Sequence, residues 1–411
     1  MNGRIFVTGM GAVSALGRDV ASNWRAVVEG RSAIGPHLFD SSAHGPPPVT
    51  LPAALPEPGF EQALESRMGR RISGSVDRFA LLALCAAFEA LDHAGLIEHP
   101  ALARRTALVF GHGQGGQQTL EKSYERFFGL KSPRSHPASV PRIMVSGAVS
   151  AAAMQFGVKG PVFATSSACA SSAHAIIQGA GLIRSGLADV AVVGGSEAIA
   201  TPGCMSGWQA IEALALDTCR PFSRGRAGMV MGEGGAVLVL ESEAHALGRG
   251  ATPLGEYLGG GMSSDAFHIT QPALEGASSS IAAAREAAGL QPGEPVLIAA
   301  HGTGTPLNDS NEAAALRQVF GGRAEGCIVT ATKSAHGHLI GGSAALQAVL
   351  SLKALEHGLA PPVLNYLAPD EACDLDLVLG CARPIEARKA LVNAFAFGGL
   401  NATLAFGGAR R

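Results

Sequence analysis

Short runs of continuous apolar residues alternate along the chain with longer stretches whose apolar side chains recur at helical spacing. Runs at 4–8, 106–110, 161–164, 188–193, 234–240, 257–262, 295–300, 327–330, 389–395 and 402–406 read as strands buried on both faces. Between them, helices are predicted over 20–29, 77–94, 144–155, 170–184, 278–288, 311–320 and 342–356, with a short one ending at 245–250. The 77–94 segment shows the pattern well: Phe79, Leu82, Cys85, Ala86 and Leu91 share one face, and Gly95 stops the helix. Stretches 36–58 and 130–141, rich in Pro, His and Ser, read as loops, and 199–230 carries few regular signals. Alternation of buried strands with helices predicts an α/β protein built in layers.

A second half is expected to begin near 251–253, giving an N-terminal half over 1–251 and a C-terminal half over 252–411. ATSSAC at 164–169 is echoed by ATKSAH at 331–336; each follows a short β run and precedes a small-residue helix, as two similar halves would. Composition fits such a protein, with 47% apolar residues, only 16% charged residues and 54 glycines in 411. A net charge of −2 argues against a general nucleic-acid or anionic-membrane surface, while leaving room for a local basic patch. No run reaches the roughly 18 apolar residues that span a bilayer, and the start, MNGRIFVTGMGAVSALG, reads as a strand entering a Gly-rich loop, so a soluble, cytoplasmic protein is expected. The seven cysteines are scattered without a C-x-x-C pair, which indicates neither a disulfide framework nor a zinc site.

Candidate chemistry starts at Cys169. A strand-to-helix turn puts it near a helix N-terminus, where unpaired N–H groups and the helix dipole favour a thiolate. It reads either as a nucleophile or as a buried structural cysteine. Further along, His301 follows the apolar run PVLIAA, where open α/β sheets place ligand sites. Lys333, His336 and His338 precede a small-residue helix, and the chain closes through Gly398-Gly399. Gly111, Gly113 and Gly116 satisfy G-x-G-x-x-G, but KSPRSHPASVPR follows in place of a compact βαβ unit with an acidic residue about 20 positions on, so the glycines read as close backbone packing or a pocket wall.

Taken together, TSSACASSAHA around Cys169, HGTGTPLND from His301, KSAHGHLIGG with Lys333 and His338, and FAFGGLNA resemble the β-ketoacyl-acyl carrier protein synthases of KAS I/II type. The resemblance extends to VTGMGAVSALG, VVGGSEA, RPFSRGRAGMVMGEGGAVLVLE and MSSDAFHITQP, nearly the whole chain. It implies the thiolase fold, two βαβαβαββ halves in five αβαβα layers, usually as a homodimer. It also implies a cytoplasmic enzyme with no bound cofactor or metal, supplied with acyl and malonyl groups on the phosphopantetheine arm of an acyl carrier protein, with no nucleic-acid or membrane partner. By the resemblance Cys169 is the acyl-accepting nucleophile, and His301 and His338 stabilise the enolate left by decarboxylation. Lys333 organises the site, backbone N–H groups of Cys169 and Phe397 with the Gly398 turn form an oxyanion hole, and Thr270, Thr303 and Thr305 hold the pantetheine arm.

The chain departs from that pattern at Gln347, where the family carries Glu, so Asp309 or Glu312 is expected to serve as the partner of Lys333; Asn308 and Leu400 also differ. Gln114 and Trp208, at positions that resemble the acyl pocket, predict an acyl group that is short, aromatic, unsaturated or oxygenated. Arg67, Arg70 and Arg71, or Lys122, Arg126 and Lys131, are candidate carrier-protein docking clusters. Three other readings have distinct marks. A chain-length factor lacks the cysteine, a thiolase has a second cysteine near its end, and a papain-like hydrolase lacks HGTGT. The catalytic subunit of a heterodimer with a chain-length factor and a non-elongating acyltransferase of the same fold also fit.

Overall fold

The computed structural model describes residues 3–40, 47–68, 71–72, 74–132 and 134–409. Ten strands form one sheet in which the two parts of the chain repeat a single topology. In the first part the order from the outer edge inward is Val162–Thr165, Thr106–Gly111, Val190–Glu197, Gly234–Ser242 and Ile5–Ser14. In the second it is Cys327–Thr330, Val296–Ala299, Lys389–Ala396, Leu400–Gly408 and Gly255–Ser264. Either way the strand that comes third in sequence lies at the edge, followed by the second, fourth and fifth, and the first lies at the centre. Parallel and antiparallel pairings match one for one. The two runs meet where Ile5, Phe6 and Val7 pair antiparallel with Tyr257, Glu256 and Gly255.

Two helices occupy the centre of the layers. Ser171–Arg184 packs on the first run of strands and Ser343–His357 on both. The second is buried nearly all round, from Ser343 through Leu352 and again at Ala354 and Leu355, as an inner-layer helix must be. Ala345 N–H donates to Ser172 Oγ at 3.1 Å, tying the starts of the two helices together. Arg78–His93 covers the outer face of the first run and Leu274–Ala287 that of the second, giving five layers.

Both echoed hexapeptides fall at the end of the edge strand of their own run. ATSSAC leaves Val162–Thr165 and ATKSAH leaves Cys327–Thr330. Three stretches expected to lack regular structure do have it. Within 36–58 the strands Gly35–Phe39 and Val49–Ala54 pair antiparallel, because Phe39, Leu51 and Ala53 bury one face while Ala53 and Ala54 pair with Met231 and Gly232. Pro202–Ala210 is a helix entered through its proline, and Ser139–Ile143 is a short one.

The Gly-rich 111–116 stretch is explained by contact. A Cβ on Gly111 would sit 2.1 Å from the Ser171 carbonyl carbon, and one on Gly195 would sit 2.2 Å from the Gly111 oxygen. The strand ends therefore lie directly against the helix that follows Cys169. Gly111→Ala should lower stability by ~1–3 kcal/mol, since backbone on both sides has nowhere to go, and urea unfolding would show it as a lower midpoint with an unchanged slope.

Candidate active site

The strand Val162–Thr165 ends in a turn that places Ala168 at a φ of 48°, the left-handed region that a residue with a Cβ enters only under strain. That turn lifts Cys169 into a single 3₁₀ turn, Ala168–Ala170, directly before the helix Ser171–Arg184. From the other run, His301 follows the strand Val296–Ala299, while Lys333–His336 form a short helix and His338 the turn after it. Gly398 and Gly399, at φ 82° and 69°, close the hairpin that presents Phe397. Repeated topology thus brings the ends of equivalent strands to one place.

At that place Cys169 Sγ and ring nitrogens of His301 and His338 all lie within 4.8 Å of one another. His338 Nε2 is 3.1 Å from the sulfur, and the two imidazoles meet edge to face with centroids 5.3 Å apart. Ile340 N–H donates to His338 Nδ1 at 3.2 Å, so that nitrogen is an acceptor and also takes the Ser343 hydroxyl at 2.8 Å. The ring proton is therefore assigned to Nε2, which points it at the sulfur. Burial first, and then the charge of Lys333, hold both histidines well below the usual imidazole range, so they are neutral donors at physiological pH.

Lys333 is itself fully buried. Its ammonium donates to His301 O at 2.6 Å and to Gln347 Oε1 at 2.7 Å, and the Gln347 amide donates in turn to Ala300 O at 2.5 Å. The expected carboxylate partners are engaged elsewhere. Glu312 accepts from the N–H groups of His301 (2.7 Å) and Gly302 (2.8 Å) and from Asn393 Nδ2 (2.9 Å). Asp309 accepts from Phe222 N–H (2.8 Å), Gly304 N–H (3.2 Å) and Asn308 Nδ2 (3.1 Å). Both residues support the loop after His301 rather than the lysine. Burial brings Lys333 down to about 8.

The helix N-terminus does not by itself create a thiolate. Burial pushes the Cys169 thiol up to about 12, against the lowering pull of Lys333 and of the backbone N–H groups of Cys169 and Phe397, both of which face the sulfur. The sequence signal for a helix end is sound, but desolvation is the larger effect.

Cys169, His301 and His338 line a cavity of about 450 Å³ together with Thr270, Thr303, Thr305, Trp208, Phe397 and Gly398. Thr303 and Thr305 hydroxyls are 3.0 Å apart, and the Trp208 and Phe397 rings lie 5.9 Å apart at 31° across the space. Gln114 is not among the lining residues: its N–H bonds Glu197 at 3.2 Å, and its side-chain oxygen accepts from the Cys204 thiol at 3.3 Å. Its amide is thus partnered, against the expectation of a polar group bare in the acyl pocket. Sequence reading also missed Ser343 and Ile340, which fix the His338 tautomer, and Glu197, a buried carboxyl raised to about 7 by desolvation that gathers the N–H groups of Gly113, Gln114 and Gly341. An acidic residue ending an otherwise apolar strand was the available signal for Glu197. Of the docking candidates, Arg71, Lys122, Arg126 and Lys131 are exposed, whereas Arg70 and the Arg67 side chain lie outside the described residues.

Fold and site together define a condensing acyltransferase of the thiolase-fold class, with a thiol beside two neutral imidazoles. The N-terminal domain description of β-ketoacyl synthase matches residues 2–246 and the C-terminal domain description matches 254–367, and the chain belongs to that family. It is 42% identical over 408 residues to nodulation protein E of Rhizobium meliloti, covering 99% of each chain. It is 37% identical over 412 residues to 3-oxoacyl-[acyl-carrier-protein] synthase 2 of Synechocystis, covering 98% of this chain and 97% of that protein. Among solved structures it resembles the ishigamide ketosynthase/chain length factor, with a TM-score of 0.90, 31% identity and coverage of 99% and 100%. It also resembles a type II polyketide ketosynthase in complex with its acyl-carrier protein, with a TM-score of 0.86, 26% identity and coverage of 100% of both chains. Among the described residues no helix is long and apolar enough to cross a membrane.

Of the seven cysteines, Cys381 is exposed, Cys204 half-buried and the rest buried, but only Cys169 among the buried ones opens on the cavity. Iodoacetamide should label Cys381 first, the half-buried Cys204 next and Cys169 through the cavity third, with Cys85, Cys219, Cys327 and Cys373 silent. Because the thiol is held up, Cys169 labelling should rise about tenfold per pH unit between 6 and 7, which is the slope of a thiolate fraction far below its pKa; peptide mass spectrometry reads each site separately.

Proposed function

We propose that this chain is a β-ketoacyl-acyl carrier protein synthase that condenses a Cys169-bound acyl group with a malonyl thioester on acyl carrier protein, releasing CO2. The single observation that carries this reading is the seating of Cys169 Sγ, His301 and His338 within 4.8 Å at the floor of the cavity, with two backbone N–H groups facing the sulfur. In the first half-reaction the sulfur attacks an acyl thioester as its proton leaves. The N–H groups of Cys169 and Phe397 hold the oxyanion, and the carrier thiol departs protonated. In the second, the malonyl C–C bond to the carboxylate breaks. CO2 leaves, and the electron pair becomes an enolate whose oxygen accepts from the neutral His301 and His338. The enolate carbon then attacks the Cys169 thioester. A C–C bond forms, the C–S bond breaks, and 3-oxoacyl carrier protein leaves while the released thiolate takes a proton from solvent. Burial, with the charge of Lys333 adding to it, keeps both imidazoles neutral and hence donors. Thr270, Thr303 and Thr305 line the path by which a phosphopantetheine arm would reach the sulfur; the enzyme itself is read as needing no bound cofactor.

A division of the chain at 251/252 is supported by the two repeats of strand order and by the gap between the two family matches. The acyl group is read as short, aromatic, unsaturated or oxygenated, and with Gln114 outside the cavity this rests on Trp208 and Phe397, neighbouring rings that both line it. Lys122, Arg126 and Lys131, exposed and in no ion pair with described residues, are the docking cluster best placed for an acidic carrier protein. The free cysteines fit a reducing, cytoplasmic setting. The protein is read as a homodimer. The likeness to the ishigamide ketosynthase/chain length factor also favours a second reading, the catalytic subunit of a heterodimer.

Intact mass after incubation with a panel of acyl carrier-protein thioesters should show an adduct on the wild type that Cys169→Ala lacks, strongest for short, aryl or polyene groups. Equal adducts from myristoyl or palmitoleoyl thioesters would contradict the acyl class, and no adduct from any thioester would contradict the synthase reading.

A further inference from the structure

Resting on the synthase reading of this site, we propose that Gln347 is a positioning residue whose neutral carboxamide leaves the buried Lys333 charge directed at the Cys169 sulfur. Three observations lead there. Lys333 is wholly buried, and the acceptors it meets, His301 O and Gln347 Oε1, are both uncharged. Among the described residues it is in no ion pair; Glu312 and Asp309 attract it through space but spend their oxygens on backbone N–H groups and asparagine side chains, with Arg226 Nε 4.0 Å from Asp309. The Gln347 amide is fixed by its second bond, to Ala300 O, so that its oxygen rather than its nitrogen faces the ammonium.

The groups facing this pair come from every adjoining element. His336 lies on the same short helix, with His338 in the following turn and His301 after its strand. Asp309 and Glu312 lie on the helix Pro306–Phe320, and Cys219 on the loop opposite. Glu197 acts on Cys169 from the adjoining strand and opposes a thiolate. The three histidines are held neutral, so Lys333 is the cation that favours a Cys169 thiolate. A carboxylate at residue 347 would neutralise that field at its source; an amide holds the lysine by the same hydrogen bond and leaves the field intact.

The arrangement leaves a signature in pH dependence. Thiolate with ammonium, and thiol with neutral amine, carry the same number of protons, so pH cannot interconvert them. Cys169 reactivity should therefore climb with pH only while Lys333 still holds its proton, and flatten once it is lost, near pH 8. With a carboxylate beside it Lys333 keeps its proton to higher pH, and the climb continues.

The test is the second-order rate of iodoacetamide alkylation of Cys169 from pH 6 to 10, read by peptide mass in the full chain. Wild type should bend near pH 8. Gln347→Glu should label roughly tenfold or more slowly at pH 7, the effect of about one pKa unit, and should keep rising past pH 9. An identical rate and bend in a Gln347→Glu variant of unchanged melting temperature would overturn the proposal. Should that variant not fold, the wild-type bend decides: it must be present, and Lys333→Met must abolish it. Acylation separates this from the underlying reading, because a Cys169 that alkylates as described but accepts no acyl group contradicts the synthase assignment and leaves the electrostatics standing.

Discussion

A buried ammonium hydrogen-bonded to no carboxylate, with Glu312 and Asp309 acting on it only through space, shapes the chemistry of this site. Lys333 donates to the carbonyl of His301 and to the side chain of Gln347, and neither bond cancels its charge. Uncancelled charge in a dry site reaches far. It disfavours a second positive charge on His301, His336 or His338, and it favours a negative one on Cys169. Burial, the larger cause, and this charge together fix the imidazoles as neutral hydrogen-bond donors, the state in which they can meet a developing oxyanion.

The fold exists in a form that can hold such a group. Each run of five strands ends its edge strand in a turn and a helix start, and the repeat places one such turn, with Cys169, against the other, with Lys333 and His338. Small residues permit the approach: Gly111 touches Ser171 backbone, Gly195 touches Gly111, and Ala345 bonds Ser172 across the central helices.

Much of this could be read from the sequence because the informative residues sit at breaks in pattern. Cys169, His301 and His338 each interrupt an apolar or small-residue run at a strand end, and the echo of ATSSAC in ATKSAH marked the repeat that the strand order displays. What escaped depended on direction in space. The exchange of Glu for Gln at 347 was visible, but the engagement of Glu312 and Asp309 with backbone N–H groups was not, so the lysine's partner was misassigned. Gln114 could be placed near the nucleophile but not turned toward Cys204, and the strands within 36–58 depend on pairing with Met231 and Gly232, far along the chain. The effect of the helix end on Cys169 was given the right sign, but only coordinates show that desolvation outweighs it.

The central claim is that burial, reinforced by the charge of Lys333, holds His338 as a neutral imidazole, with its proton on Nε2 facing the sulfur. Nitrogen-15 NMR of protein labelled selectively at histidine, assigned with His338→Gln, measures this directly from pH 6 to 8. The account predicts a neutral His338 throughout that range, with a protonated Nε2 and an acceptor Nδ1. An imidazolium signal, or a proton on Nδ1, in the wild type would contradict it.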